Sequence, residues 1–312
     1  MNPMQPIQIP QTAPVALLLV VPFIVHRSHS SRILHPFSFI LHPSSFILSR
    51  CVMIKIAPNT PQEADLLARI APDRIPRHVA VIMDGNGRWA KQHGLLERIK
   101  GHEAAVEAVR ASVRASGQLG IEFLTLYAFS VENWQRPRRE VTALMRLLER
   151  FLHDEIPEMQ ENNVRLIVSG QIERLPPYVQ RAMENNMAQT DKNSGLTVNL
   201  AVSYGGRQEI VEAARKFAAD VRARKAHPED LTPELFARYL IHPEVPDPEL
   251  LVRTSGEMRV SNFLLWQVAY TELVVMPVLW PDFRRVHLLQ AIVEYQSRER
   301  RFGGVGAGKP GP

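Results

Sequence analysis

Cysteine is almost missing from this chain: Cys51 is the single one in 312 residues. A disulfide framework, a thiolate metal site and a cysteine nucleophile are therefore excluded from everything after it, which fits a reducing cytoplasm. A long unbroken apolar run is also lacking. Pro14 to Val25 is interrupted by Pro22 and falls short of the roughly 20 residues a membrane-spanning helix needs. No basic stretch before it and no small-residue cleavage site after it marks a signal peptide. Strong charge imbalance is absent too. The net charge is +5, and three of those charges are Arg27, Arg32 and Arg50, in a first stretch Met1 to Val52 that contains no lysine and no acidic residue. The remainder carries too little positive charge to argue for nucleic acid.

That first stretch does contain a seven-residue repeat. Ile33-Leu34-His35-Pro36 returns as Ile40-Leu41-His42-Pro43, and Ile47-Leu48 begins a third copy. Prolines at that spacing break any heptad helix. We read residues 1–59 as a disordered leader, the repeat as upstream repetitive sequence, and Met53 as the initiator. An intact Met1 peptide in mass spectrometry of the native N-terminus would sink this reading. A basic apolar leader that anchors to a surface is the alternative. Residues 60–302 are expected to form one α/β domain with a sizeable core, and the Gly- and Pro-rich residues 303–312 a disordered tail.

The domain is organised around His78 to Arg88, HVAVIMDGNGR. Val79 to Met83 is a continuous apolar run of the kind that makes a fully buried parallel strand. It stops at Asp84-Gly85-Asn86-Gly87-Arg88, where glycines allow tight turns and close approach of a ligand to the backbone. With a helix starting near Trp89, free N–H groups, a guanidinium and one carboxylate would face one point, which suits a phosphorylated ligand bridged by a divalent metal. A plain strand, turn and helix cap is the competing reading.

Further strands are expected at Ile121–Phe129, Val164–Ser169, Thr197–Tyr204, Leu250–Arg253 and Leu273–Met276. Helices are expected at Gly101–Gly120, Arg138–Ile156 and Pro176–Ala188, after Gly205-Gly206, and, highly charged, at Arg284–Arg301. Such alternation predicts a mainly parallel central sheet flanked by helices. Polar clusters fall just after strands, at Asp84–Arg88, Ser130–Arg136 and Arg253–Asn262, the end where open parallel sheets bind ligands. Arg88, Arg98, Arg136, Arg253 and Arg259 would then line one basin, enough for two diphosphates side by side. Singly, each arginine reads as a solvated surface residue; the case rests on their shared position.

The blocks HVAVIMDGNGRWAK, Arg98-Ile99-Lys100-Gly101-His102, LTLYAFSVENWQRP, Tyr204-Gly205-Gly206-Arg207, RTSGEMRVSNFLLWQVAYTEL and Trp280-Pro281-Asp282-Phe283 resemble the cis-prenyltransferases, on their bacterial undecaprenyl diphosphate synthase branch. The resemblance runs from about Ile75 to Phe302, in the family's order. It implies an isoprenyl transferase that condenses isopentenyl diphosphate onto an allylic diphosphate, usually farnesyl diphosphate, forming cis double bonds. By similarity, Asp84 and Glu272 hold Mg²⁺. Gly85, Asn86, Gly87, Arg88, Arg98 and His102 bind the allylic diphosphate, with Trp89 near its chain. Arg253, Arg259, Val260 and Ser261 hold isopentenyl diphosphate, and Ser130, Val131, Glu132, Trp134 and Arg136 close over both. Asn133 matches the family's proton acceptor, but a neutral amide is a poor base, and orienting isopentenyl diphosphate for proton loss to a diphosphate oxygen suits it better. The resemblance further implies a homodimer, a cytoplasmic location with peripheral contact at the inner membrane through the lipid product, and a role in supplying the cell-wall lipid carrier.

Ala104, Ala105, Val109, Leu144, Leu148 and Phe151 are candidates to line a dry tunnel for the growing chain, with ordinary core packing as the alternative. Three positions depart from the family pattern. Met258 stands where some relatives have a histidine that assists the metal, and a thioether is a poor Mg²⁺ ligand. Ala105 replaces a usual glycine, and Ser203 a usual asparagine. Two rival classes remain: a non-catalytic partner subunit, which would lack the aspartate motif, and a haloacid-dehalogenase-type phosphohydrolase, which would need aspartate where Asn86 stands.

Overall fold

The computed structural model describes residues 56–298; the leader as far as residue 55 and the tail from residue 299 lie outside the described residues. Six strands, β1 (His78–Ile82), β2 (Phe123–Ser130), β3 (Arg165–Ser169), β4 (Thr197–Tyr204), β5 (Leu250–Arg253) and β6 (Glu272–Val275), form one sheet in the order β3-β4-β2-β1-β5-β6. Every pairing is parallel, so each strand must be joined to the next by a crossover. The crossovers carry α2 (Asn86–Gln92), α3 (Ile99–Leu119), α4 (Arg138–Glu161), α5 (Pro177–Thr190), α6 (Gly206–Arg222) and α7 (Pro233–Ala237). α1 (Pro61–Arg69) precedes the sheet, and α8 (Arg285–Ser297) follows it.

Alternation along the strands divides the core. Val79, Val81, Leu124, Leu126 and Val252 point into the larger apolar cluster beneath the helices, while Ala80, Ile82, Tyr127 and Leu251 face a smaller one closed by Phe263 and Leu264. Each such aliphatic side chain contributes about 1.5–3 kcal/mol by leaving water. β1 is buried at every position, as a central strand with neighbours on both sides must be.

The structure departs from expectation in four places. α1 was not anticipated, although Thr60 caps it by accepting from the Glu63 N–H at 3.2 Å, with proline next. The leader boundary at Asn59 moves back accordingly: Ile56 packs on the core, and Arg285 of α8 donates to the Ala57 carbonyl at 3.2 Å and pairs with Glu63. α4 runs past Pro157 to Glu161, because buried Met159 and the Arg114–Glu158 ion pair hold the last turn. α8 is less a charged surface helix than a core element, with Leu288, Leu289, Ala291 and Ile292 buried.

Candidate functional site

Parallel strands deliver all their C-terminal ends to one edge, so the loops after β1, β2 and β5 are neighbours. Asp84 lies two residues beyond β1. Its backbone is pinned by Thr254, whose hydroxyl accepts from the Asp84 N–H at 2.9 Å and donates to the Asp84 carbonyl at 2.7 Å. Its carboxylate receives Arg253 Nη2 at 2.9 Å on Oδ2, and Arg88 stands 3.7 Å from Oδ1. Burial on its own pushes the Asp84 carboxyl up. The Arg253 hydrogen bond, the charges of Arg253 and Arg88, and the Gly85 N–H outweigh it and hold the group below the usual carboxylate range.

Arg253 is the more buried partner, only 2% exposed. Its Nη1 donates to the Arg259 carbonyl and, at 2.8 Å, to Ser261 Oγ, while Nε is buried with no hydrogen-bond partner. A buried guanidinium with a spare donor is costly unless something fills the space beside it. Arg88 reaches sideways, donating to the Ser255 carbonyl at 3.1 Å and to its hydroxyl, with Glu257 at 3.4 Å. Arg259 pairs with the same Glu257.

The helix after β1 begins at Asn86 rather than near Trp89, with Gly85 in the left-handed region at φ 111°. Any side chain at Gly87 would strike the Arg98 guanidinium, and one at Gly101 would lie 2.0 Å from the Asn86 carbonyl oxygen. The glycines thus let α2, α3 and Arg98 converge. Asn86 Nδ2 and His102 Nδ1 are 3.0 Å apart. Burial, with the charges of Arg136 and Arg98, pushes His102 down to about 4, so it is neutral at pH 7. Glu140, in the first turn of α4, holds both cations, Arg136 at 3.2 Å and Arg98 at 3.5 Å.

After β2 the chain enters a short 3-10 turn, Val131–Gln135, closed by a capping box: Asn133 Oδ1 accepts from the Ser130 N–H at 3.1 Å. Trp134 Nε1 donates to Ser203 Oγ at 3.0 Å, and Val131 packs where Gly205 has no side chain. Glu132 accepts from Asn262 Nδ2 at 2.9 Å.

A cavity of about 250 Å³ opens between these loops. Asp84, Asn86, His102, Ser130, Asn133, Arg136 and Arg253 form its polar mouth, and Ala105, Val109, Leu144, Leu148 and Phe151 its apolar depth between α3 and α4. Five of the six expected tunnel residues line it; Ala104 instead faces a separate surface depression beside Glu103 and Glu107.

Twelve of the nineteen expected site residues lie outside this lining, among them Trp89, Val260 and Glu272. Trp89, expected beside the allylic chain, is not part of this lining; it stacks on His93 with ring centroids 3.9 Å apart and donates to Asp282 at 2.8 Å. Val260 packs against the smaller apolar cluster. Glu272, expected to share a metal with Asp84, starts β6 level with Leu250 and Val79, five residues short of Asp84 along the sheet and so roughly 16 Å away at about 3.3 Å per residue. It pairs with Arg298 at 2.9 Å. Within one chain the two carboxylates cannot bind the same ion. Among the described residues no three His, Cys, Asp or Glu side chains cluster as a metal cage.

Sequence reading did not single out Thr254, Ser255, Glu140 or Asn262. Thr254, Ser255 and Asn262 are small polar residues whose partners are far away in the chain, and Glu140 joins nearby Arg136 to the more distant Arg98. The nearest signal was that Thr254, Ser255 and Asn262 fall within a cluster that follows a strand.

The family described as "Putative undecaprenyl diphosphate synthase" matches residues 82–303. The isoprenyl transferase of Heliobacterium mobile is 50% identical over 243 residues, 78% of this chain and 93% of its own length. That of Bacillus subtilis (strain 168) is 49% identical over 236 residues, 76% of this chain and 90% of its own. Among solved structures, lavandulyl diphosphate synthase from Lavandula x intermedia, in complex with dimethylallyl diphosphate, superposes with a TM-score of 0.72 at 39% identity, covering 74% of this chain and 99% of that one. A probable undecaprenyl diphosphate synthase from Campylobacter jejuni gives 0.61 at 32% identity, covering 73% and 98%. These matches cover most of the chain and nearly the whole of each relative, and they show that this chain belongs to the cis-prenyltransferases, enzymes of the isoprenyl transferase family that elongate prenyl chains.

Proposed function

We propose that this enzyme condenses isopentenyl diphosphate units onto farnesyl diphosphate and releases a polyprenyl diphosphate of undecaprenyl length, the precursor of a cell-wall lipid carrier. The observation that carries this reading is the cavity itself, cationic at its mouth and apolar beyond. A diphosphate held at the mouth directs its hydrocarbon inward, away from water. The similar lavandulyl enzyme, solved with dimethylallyl diphosphate, supports an allylic diphosphate as the ligand.

In this reading Gly85, Asn86, Gly87, Arg88, Arg98 and His102 cradle the allylic diphosphate on the α2 N-terminus, with Trp89 buttressing that helix from outside. Arg253 Nε is the spare donor, and Arg253, Arg259, Val260 and Ser261 form the loop that receives isopentenyl diphosphate. The carbon–oxygen bond of the allylic diphosphate breaks, a carbon–carbon bond forms to the second substrate, and a proton leaves the latter. Asn133 is not the base: its Oδ1 already accepts from the Ser130 N–H, leaving its amide N–H₂ to orient isopentenyl diphosphate while a diphosphate oxygen takes the proton. Asn133→Asp turnover above that of the parent enzyme would argue the reverse.

The donor set fits Mg²⁺ held by one carboxylate together with substrate oxygens, a usual way of binding this ion: Asp84 is an ionised, partly exposed carboxylate at the cavity wall. When bound, Mg²⁺ neutralises the charge on the departing diphosphate. We assign Glu272 to the same ion across a homodimer. β6 is an edge strand, and two-fold apposition of two β6 edges would run them antiparallel, carrying the partner subunit's Glu272 toward the C-terminal edge where Asp84 lies. No helix of the described residues is long and apolar enough to cross a membrane, which suits a cytoplasmic enzyme that meets the inner membrane peripherally to deliver its product.

The purified protein, given Mg²⁺, farnesyl diphosphate and labelled isopentenyl diphosphate, should yield a product ladder ending at undecaprenyl length. The Asp84→Ala variant should lose at least about 100-fold in rate, the usual scale for removing one preorganised electrostatic group. No incorporation by folded protein would instead favour the partner-subunit reading, although such a subunit would lack the aspartate motif that this chain keeps.

A further inference from the structure

Asn262 sits where three loops meet and spends its whole side chain on the other two. Its Nδ2 donates to Glu132 Oε1 at 2.9 Å and to Gln208 Oε1 at 3.2 Å. Its Oδ1 accepts from the Arg207 N–H at 2.9 Å. Its carbonyl accepts from the Gly206 N–H at 2.7 Å. Three of these bonds fasten it to the first turn of α6, a helix of 17 residues; the fourth reaches the 3-10 turn after β2. The backbone is held in the left-handed region at Ser261 (48°), Asn262 (61°) and Leu264 (45°). Non-glycine residues there cost energy, and such strain persists where neighbouring structure enforces it; asparagine tolerates it best.

We infer that Asn262 is a positioning residue that clasps the Val131–Gln135 turn to the β5–β6 loop and so sets Asn133 and Arg136 at the cavity mouth. The inference rests on the proposed function only in saying what the clasp is for. Glu132 lies next to Asn133 in that turn, and Arg136 follows it directly. Among the described residues Glu132 has no ion-pair partner, so the neutral amide is what restrains this carboxylate. A hydrogen bond between a neutral amide and a charged oxygen is strong enough to fix a short turn and weak enough to release it. The same residue holds the loop of Arg259 and Ser261, so the two halves of the mouth are set by one side chain.

Reversing the polarity of the clasp tests it. Asn262→Asp has the same shape, tolerates the same backbone, and keeps its acceptor for the Arg207 N–H at a helix start that favours negative charge. It opposes Glu132 with a second carboxylate. Adding Glu132→Gln restores the bond with donor and acceptor exchanged. Hydrogen exchange without substrate should be about tenfold faster at residues 131–136 in Asn262→Asp, as expected for losing the hydrogen bond to a charged group, with α6 unchanged beyond its first turn, where the Gln208 bond is also lost. In steady-state assays KM for isopentenyl diphosphate should rise by more than kcat falls. The double variant should return both readings to those of Glu132→Gln alone. Unchanged exchange in Asn262→Asp, or a double variant no better than the single one, would overturn the clasp. Failure of the parent protein to elongate any chain would remove the functional reading and leave the exchange comparison to decide the clasp alone.

Discussion

Both main-chain groups of Asp84 end on one hydroxyl, that of Thr254, which is fully buried. Thr254→Val keeps the shape and removes both bonds, so stability should fall by about 1–3 kcal/mol in denaturant unfolding, and elongation should fall further than diphosphate binding. A stability loss with unchanged turnover would show that the Asp84 backbone needs no such anchor. His78 behaves differently. It is buried between the Pro246 carbonyl at 2.6 Å and the Thr125 hydroxyl at 2.7 Å, and burial pushes it down to about 4, against the Pro246 bond that favours the charged ring. The unfolded chain, with His near 6.5, therefore binds more protons between pH 4 and 6.5, so stability is lost as pH falls through that window. The depression is worth on the order of 3 kcal/mol. His78→Gln should flatten the acid limb of a stability–pH curve; an unchanged slope would place the proton elsewhere, with His102 the next candidate. At this scale Asp84, Arg88 and Arg253 were legible because charged and glycine residues stand out after apolar runs. Thr254 and Glu140 were not, since a lone threonine or glutamate announces nothing until the fold brings it to Asp84 or to Arg98.

Helices α2 and α3 meet so closely that their glycines are not interchangeable. At Gly101 an added Cβ would meet the Asn86 carbonyl, a backbone atom that cannot move alone; at Gly87 it would meet the flexible end of Arg98. Gly101→Ala should therefore force the helices apart and cost about 2 kcal/mol or more, as overpacking does. Gly87→Ala should leave thermal stability nearly intact and weaken binding of inorganic diphosphate by displacing Arg98. Calorimetry of unfolding and of diphosphate binding on the two variants separates these outcomes, and equal stability losses would refute the distinction. Most elements were readable from periodicity, as β1 and β4 show. α1 was missed because its Thr60-Pro61 start sits close to a stretch without lysine or acidic residues, and the end of α4 was misplaced because Pro157 is a stop signal that buried Met159 overrides.

At the scale of the whole molecule, the separation of Asp84 from Glu272, taken with the proposed homodimer, predicts a shared site. Mixing inactive Asp84→Ala and Glu272→Ala subunits should restore about a quarter of the parent activity, because half the dimers are mixed and one of their two sites is intact. If both carboxylates served one chain's own site, the mixture would stay dead. The sequence by itself determined the class of fold, since continuous apolar runs alternating with amphipathic helices admit little but a covered parallel sheet. It also determined the chemical character of the mouth, because parallel strands bring every post-strand cluster to the same edge. Only the tertiary structure decided which members of those clusters meet. It spent Arg253 on Asp84, set Trp89 against His93 and Asp282, parted Glu272 from the carboxylate it was expected to join, and made Asn262 the meeting point of three loops. Those outcomes depend on register and on crossings between distant segments, which local spacing does not encode.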